Sequence, residues 1–561
     1  MKTLFANLGK KHYLLLGGWF LINLVQSLFT NLHSDEAYYW MYSQHLAWGF
    51  FDHPPMSALL IYIGDFIMHA EVGVRLLFLV LTTLTMAMIM NELNEQKDLL
   101  FMSVFIMSFP LVHTHIAGFL AIPDTPMVFF SLLFYLLYRK FAEKPDFKLS
   151  LIISFVAAAM IYSKYHAFLV IGFVVLSNLN LLRTKYFWLV VFITLVLLVP
   201  HILWQIDNHF PTFKYHLSDR SKPIRFKTVH NNITSQLLVA GPLSGLLIFY
   251  SLFKFRTYGN KFRRMMIFSI LGFYIFFFIM SFKNRIEAHY TIAVTPLLMF
   301  ATYPVIAGNP ELKKWFKRLA LPVVVLMFAA RFYLAADFIP NAGAAKIAFY
   351  NHKAWTSEVK EMAGGKPVAS FNNFAVPATY QFYTGEPAVH LATPAYRFCQ
   401  YDLWNDEDII EGKSAFVIFP TRVDTTNLLT LKNGRKVKTQ FIPEFQNLKN
   451  VKIEITSGKI LNDTLKLDIL LTNNPEKTVF LHHSSMPEIG MMQNKTEITS
   501  SSIYALTGKE ALAPEEKLSF VYAIPVSEID KKQPMIIFVQ TIDKNRGQMV
   551  KTEFQNFTNL Q

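Results

Sequence analysis

Residues 33–55 read His33-Ser-Asp-Glu-Ala-Tyr-Tyr-Trp-Met-Tyr-Ser-Gln-His45-Leu-Ala-Trp-Gly-Phe-Phe-Asp-His-Pro-Pro55, and they separate the first apolar run of spanning length from the second. Asp35 and Glu36 follow directly on that first run, which puts two carboxylates at headgroup depth. A helix starting near Ser34 would cap on the serine hydroxyl and carry both acids in its first turn, where the helix dipole favours negative charge. Two readings stand side by side. In one, the acids only cap a helix, and Tyr38, Tyr39, Trp40, Tyr42 and Trp48 form an interfacial aromatic belt. In the other, a carboxylate held at the membrane surface serves as a general base, with rings beside it for sugar stacking.

Working outward, apolar runs recur from residue 12 to residue 337, roughly eleven in all. Their centres lie near Phe20, Leu81, Val104, Phe134, Ala157, Val174, Leu195, Gly245, Phe273, Leu298 and Val325. Hydrophobic residues make up 53% of the 561 and charged residues only 16%, which excludes a disordered or wholly soluble chain. Lys10 and Lys11 precede an apolar stretch without a small-residue cleavage site, so the first run is expected to be a retained span. The net charge of +14 is unevenly spread: residues 1–340 hold 29 Lys and Arg against 16 Asp and Glu, and the rest hold 24 against 23. Basic excess between apolar runs reads as topology signal and headgroup contact, not nucleic-acid binding. With the N-terminus in the cytoplasm, Lys10/Lys11, Arg139/Lys140, Arg183/Lys185, Lys254–Arg264 and Lys313–Arg318 all fall inside. The odd number of spans then leaves everything after residue 340 outside. The expected architecture is a mainly α polytopic membrane domain over 1–340, followed by an extra-cytoplasmic α/β and β-rich domain over 345–561. In that tail Pro367–Phe371, Ser414–Phe419, Val451–Thr456, Thr464–Leu471, Lys517–Ile524 and Met535–Thr541 read as strands, and Trp355–Met362 as an amphipathic helix. The single cysteine, Cys399, excludes an internal disulfide. No Gly-rich phosphate loop, CxxC pair or HExxH helix supports soluble nucleotide or zinc-protease chemistry.

Several polar residues stand at helix ends on the outer side. Asp124, in Ala121-Ile-Pro-Asp-Thr-Pro126, either caps the following helix or, with Asp35, shares a substrate hydroxyl or a divalent cation. Lys164, in Tyr162-Ser-Lys-Tyr-His166, falls at the outer turn of a helical hairpin against the charge bias, a placement that suits a lipid-linked phosphate. The 205–232 loop carries Lys214, Arg220, Lys222, Arg225 and Lys227, and either headgroup attraction or phosphate capture explains it. Arg285, Glu287 and His289 alternate in Ser281-Phe-Lys-Asn-Arg-Ile-Glu-Ala-His-Tyr290; they are a flanking charge cluster or, if the segment is extended, three groups aimed at one cleft.

Three blocks together carry a resemblance: Asp35-Glu-Ala-Tyr-Tyr-Trp40, His45-Leu-Ala-Trp-Gly-Phe-Phe-Asp-His-Pro-Pro-Met56 and Gly73-Val-Arg-Leu-Leu77. They are similar to the family 39/83 glycosyltransferases, which include dolichyl-phosphate-mannose–protein mannosyltransferases and lipid A aminoarabinose transferases. The blocks around Asp124, Lys164 and His289 resemble later parts of the same group, so the likeness covers about the first 300 residues. It implies a GT-C fold whose first outer loop carries the catalytic acid, and transfer of a sugar from a polyprenyl-phosphate carrier with inversion at the anomeric carbon. Asp35 matches the acid taken as general base, Glu36 its neighbour, Asp124 the acid of the second outer loop and Lys164 a lysine facing the carrier phosphate. Arg285, Glu287 and His289 match a polar block, and Tyr39 and His53 belong with the substrate-binding residues. The resemblance fixes no metal; a divalent ion stays open. No counterpart of the repeat-bearing luminal domain of eukaryotic protein mannosyltransferases is present.

The expected chemistry follows. A polyprenyl phosphate is already a good leaving group, so the site needs positive charge for the departing phosphate, from Lys164 with Arg225 or Arg285. The acceptor hydroxyl, on a protein, lipid A or another envelope glycan, must lose its proton, and Asp35 takes it. A glycan ligase using a pyrophosphate carrier shares the topology and the basic loop. A polytopic transporter would instead place polar positions near the bilayer midplane in related halves. A non-catalytic scaffold accounts for spans and tail but not for the acids and lysine gathered outside.

Overall fold

Lys10–Phe29 has almost no charge after its first two lysines, and it forms the first long helix, α1. A computed structural model describes residues 5–94, 98–215, 226–336, 348–420, 427–473 and 476–557. The chain divides into two compact units, Met1–Tyr350 and Asn351–Gln561.

In the first unit the loop after α1 folds into two helices, α2 (Ser34–Gln44) and α3 (Met56–Ile67). Then follow α4 (Glu71–Leu93), α5 (Leu99–Met107), α6 (Asp124–Glu143), α7 (Phe147–Ser163), α8 (Ala167–Ser177), α9 (Lys185–Asp207) and the short α10 (Pro211–Lys214). Beyond them come α11 (Phe226–Ala240), α12 (Gly245–Lys254), α13 (Lys261–Met280), α14 (Thr295–Ala307) and α15 (Pro310–Ala335). All eleven apolar centres read from the sequence lie in helices. The count of spans differs: six described helices are long and apolar enough to cross a bilayer, or seven if α11 and α12, bent 85° apart, form one span. Length is one reason, although α6, at 20 residues, instead carries Asp124, Arg139, Lys140 and Glu143 near its ends. Polar or proline-bearing breaks cut several apolar runs into helices such as α5 and α8, of 9 and 11 residues. Gly64 of α3 and Gly73 of α4 fix how the first loop packs, because a Cβ on Gly64 would stand 2.2 Å from the Gly73 carbonyl oxygen. That close approach sets α4, and with it Arg75, beneath α2.

In the second unit, β1 (Val368–Phe371), β2 (Ala388–Leu391), β3 (Ala415–Pro420), β4 (Leu429–Thr430) and β5 (Lys436–Ile442) form one sheet in the order β2-β1-β3-β5-β4. β1 runs parallel to β2 and β3, and β5 pairs antiparallel to β3 and β4. Helices α16 (His352–Ala363) and α17 (Ala375–Thr384) pack with this sheet. The remaining strands are β6 (Lys452–Leu461), β7 (Thr464–Thr472), β8 (Val479–Phe480), β9 (Pro487–Gln493), β10 (Thr496–Ser502), β11 (Ala511–Leu512), β12 (Lys517–Pro525), β13 (Met535–Thr541) and β14 (Arg546–Thr552). They form antiparallel sheets β12-β7-β6 and β10-β9-β13-β14 and the small pair β11-β8. Leu465, Leu467, Ile469 and Leu471, every second residue of β7, share one core with Ile489, Met491, Ile537 and Val539 of the four-stranded sheet.

Candidate active site

Asp35 and Glu36 are adjacent in α2, so their side chains leave the helix about 100° apart and meet different surroundings. The helix cap differs from the expected Ser34 hydroxyl, because Ser34 is already helical and His33 takes the cap position. The His33 Nδ1 accepts the Asp35 N–H at 3.1 Å, and the Glu36 carboxylate accepts the His33 N–H at 2.8 Å. Glu36 turns inward and is completely buried. Its Oε1 accepts the Ala121 N–H at 2.8 Å and Arg75 Nε at 2.8 Å, and its Oε2 accepts Arg75 Nη2 at 2.6 Å. With the His33 bond, all four lone-pair directions of the carboxylate are taken. Arg75 spends its other donors on the carbonyls of Ser27, Thr30 and Asn31. Burial alone would raise the Glu36 pKa, but the Arg75 charge and these hydrogen bonds outweigh it and hold the carboxyl below its ordinary value. Glu36, expected as the neighbour of the general base in a catalytic set with Asp35 and Asp124, has every lone pair engaged and forms an ionised clamp joining the end of α1, the start of α2, α4 and the second loop. Asp35 turns the other way: its side chain is half exposed, with the His33 ring 3.7 Å from Oδ2.

Asp124 opens α6, and Lys164 caps the end of α7. The two meet although 40 positions separate them, with Lys164 Nζ donating to Oδ1 at 2.8 Å and Oδ2 at 2.9 Å. An ammonium has three donors, so one remains beyond this pair. His289 Nε2 lies 3.9 Å from Asp124 Oδ2, the His115 ring stacks on His289 at 5.4 Å, and the Lys164 ammonium lies 5.5 Å from the centre of the Tyr290 ring. Burial pushes the His115 imidazole down to about 3, so that ring is neutral at ordinary pH.

His53 connects the two groups. Its pKa is lowered, first by burial, and the charges of Asp52, Lys164, Asp124 and Asp35 all act on it. Tyr39 meets it edge-on at 5.4 Å and feels Asp35, Asp52 and Asp124 as well. Asp52 is held by the Tyr42 hydroxyl at 2.7 Å. The aromatic belt is mostly interior: Tyr38, Tyr39, Trp40 and Tyr42 are buried against one another and their neighbours, and only Trp48 is widely exposed. Stacking on several open rings, as expected from sequence, is therefore confined to Trp48 among these five.

Other expected site residues fall elsewhere. Arg285 is 83% exposed and pairs with Glu287 at 3.0 Å, so of that alternating trio only His289 reaches Asp124. Arg225 lies outside the described residues. Among the described residues no three His, Cys, Asp or Glu side chains converge to hold a metal ion, and both oxygens of Asp124 already face Lys164. Sequence reading missed Arg75 and His115. Arg75 had a usable signal, as a lone charge inside an apolar helix; His115 had none apart from its neighbourhood. Nearby, an apolar cavity lies between α6, α7, α8 and α9, lined by Ile161, three residues before Lys164, and by Phe134, Val174, Val190 and Leu198.

Residues 52–204 match a family model described as dolichyl-phosphate-mannose-protein mannosyltransferase, a window that holds His53, Arg75, Asp124 and Lys164. Among solved structures, ArnT from Cupriavidus metallidurans in the apo state is 13% identical, with 76% of this chain and 97% of that one covered at a TM-score of 0.53. The same protein bound to undecaprenyl phosphate is 12% identical, with 77% and 98% covered at a TM-score of 0.52. At such identity the likeness is one of fold. A search of curated proteins finds no match. The resemblance read from the motifs thus holds in sequence over residues 52–204 and in fold: this is a multi-pass membrane protein with the ArnT-like, GT-C type of architecture.

Proposed function

We propose that this chain is an inverting glycosyltransferase that takes a sugar from a polyprenyl-phosphate carrier and hands it to a hydroxyl-bearing acceptor at the outer face of the cytoplasmic membrane. The observation that carries the reading is one open carboxylate, Asp35, within electrostatic reach of the same histidine as the Asp124–Lys164 pair. In the step, Asp35 takes the acceptor O–H proton while that oxygen forms its bond to the anomeric carbon. The bond from that carbon to the phosphate oxygen breaks on the opposite side, and its electron pair leaves with the phosphate. Lys164, oriented by Asp124, offers its remaining donor to the growing negative charge, and the clamp of Glu36 and Arg75 keeps Asp35 in place.

Three further facts support the reading. The relative of like fold that was solved with undecaprenyl phosphate bound makes a lipid phosphate a fitting donor class. The apolar cavity beside Lys164 suits an isoprenoid chain. Sidedness follows from charge: Lys10/Lys11, Arg139/Lys140, Lys185 and Lys313–Arg318 sit at the helix ends opposite those that meet at Asp35, Asp124 and Lys164. On that topology the second unit is extra-cytoplasmic.

The test is transfer from radiolabelled polyprenyl-phosphate sugars in membranes carrying the protein or its Asp35→Asn variant. Loss of a positioned base typically costs about 100- to 10,000-fold. A variant that inserts normally and still transfers at the parent rate would refute the assignment, and transfer from pyrophosphate carriers alone would replace it with a glycan ligase.

A further inference from the structure

The turn between α12 and α13 reads Phe253-Lys-Phe-Arg-Thr-Tyr-Gly-Asn-Lys-Phe-Arg-Arg264, with five basic residues, four aromatic ones and no acid. Lys261 Nζ donates to the Ala142 carbonyl at 2.8 Å, which fixes the turn at the end of α6 opposite Asp124. Basic residues at this end of the bundle are of two kinds. Arg139 pairs with Glu92 and Lys313 with Asp98, both at 2.7 Å. None of the five in the turn has an ion pair among the described residues.

Instead they are gathered over rings and over one another. The Lys254 ammonium lies 5.4 Å from the centre of the Tyr250 ring, and the Arg263 guanidinium lies 5.6 Å from that of Phe255. Arg263 Nη1 also donates to the Arg256 carbonyl at 3.4 Å, so these two arginines share one small patch although seven positions separate them. Lys254, Arg256, Arg263 and Arg264 are all exposed. Water screens such charges, yet like charges held together still repel. α13 adds to the cost: Lys261, Arg263 and Arg264 stand in its first turn, at the positive end of the helix dipole, and no acid offsets them there. A topology signal needs the charges alone, and neither this crowding nor the rings beneath it. An anion seated on the turn removes both costs.

The surroundings say what kind of anion. Phe253, 83% exposed, and Leu246 on α12, with Phe268 and Leu271 on α13, continue from the turn as open apolar side chains of the membrane unit. Tyr258 at the tip is 80% exposed, as suits a ring at headgroup level. We propose that the α12–α13 turn is a binding site for an anionic phospholipid, its phosphate held by Arg256 and Arg263 with Lys254 and Arg264 beside it, and its acyl chains along α12 and α13. A zwitterionic headgroup brings its own cation and leaves the surplus in place. Nothing in this proposal draws on the transfer chemistry at the other end of the bundle.

The test is native mass spectrometry of the full-length protein released from detergent micelles after titration with phosphatidylglycerol or phosphatidylcholine. The parent should retain phosphatidylglycerol in preference. Each basic residue at a charged membrane surface contributes about fivefold in affinity, so Arg256→Gln should weaken retention about fivefold and Arg256→Gln with Arg263→Gln about 25-fold. Arg183→Gln with Lys314→Gln, which takes the same charge from exposed positions at the same end of the bundle, should change it less than twofold. Equal losses in the two double variants would mean attraction by net charge and would overturn the site. Equal retention of the two lipids by the parent would overturn it as well. Displacement by millimolar glycerol 3-phosphate would replace the lipid with a soluble phosphate. All four replaced side chains are exposed, and the single variant decides by itself if a double one fails to fold.

Discussion

Each unit buries one glutamate among its described residues, and the two end up in opposite states. Glu36 of the membrane unit is fully buried and Glu407 of the second unit is 8% exposed. Burial raises the pKa of both. At Glu36 four donors, two of them on a guanidinium, reverse that effect. At Glu407 one oxygen has no partner, the opposing charges of Lys449 and Arg546 are offset by Asp402 and Asp408, and the carboxyl is pushed up to about 7. Burial thus sets the scale of a perturbation, and the count of satisfied lone pairs sets its sign. The Asp124–Lys164 pair stands between them, paired at both oxygens yet with one ammonium donor left over for the phosphate contact proposed above.

The most damaging way to test the contrast is to take the partner from Glu36. Arg75→Ala should lower stability by about 3–5 kcal/mol, since a carboxylate would be left buried against the Ala121 and His33 amides alone. Thermal unfolding in detergent reads it. Replacing both members with apolar residues of like size, Glu36→Leu with Arg75→Met, should recover most of the loss. A single-variant loss under about 1 kcal/mol would mean the clamp is not what holds the first loop.

Next in size is the open pair, read in rate. Lys164→Met should cut kcat about 100- to 1,000-fold, the usual effect of removing one preorganised donor from a developing oxyanion. Lys164→Arg should retain part of the rate, because it keeps the charge and changes its geometry. If both variants turn over alike, at matched amounts of folded protein, the lysine serves Asp124 only as a structural counter-ion.

Much of this architecture was legible because it is local. Six expected strands fall within a residue or two of observed ones, except that β6 runs on from Thr456 to Leu461, and the expected helix at Trp355–Met362 lies inside α16. Period-two and apolar-run signals need only neighbours along the chain. Short or two-residue strands such as β4, β8 and β11 carried no such signal. The geometry of the candidate site was less legible, because it depends on pairings distant in sequence. Which of Asp35 and Glu36 faces inward depends on Arg75, 39 positions from Glu36, and the pairing of Asp124 with Lys164 spans 40. No spacing rule reaches so far. Glu407 shows the same limit, since Asp406-Glu-Asp-Ile-Ile410 reads as an exposed acidic turn until tertiary packing covers its second residue.

Glu407 also gives the smallest and most specific test, because its sign is fixed. Its folded pKa, about 7, exceeds the ordinary 4.5, so between those values the folded form binds more protons than the unfolded one. Its contribution is therefore fully present below pH 4.5 and is lost as pH rises towards 7. His390, whose charge environment shares Asp402, Lys449 and Arg546, works the other way. Burial pushes its imidazole from 6.5 down to about 3, so its contribution is present above 6.5 and is lost as pH falls through that range. The two slopes oppose each other between pH 4.5 and 6.5 and flatten the profile of the parent protein. Glu407→Gln removes one of them. The stability of the variant relative to the parent, followed by tryptophan fluorescence during thermal unfolding, should climb across that window by up to about 3 kcal/mol. The variant alone should grow more stable as pH rises towards 6.5. A difference that stays constant with pH would mean that Glu407 is ionised in the folded protein, and the contrast with Glu36 would then rest on exposure rather than on the number of bonds each carboxylate accepts.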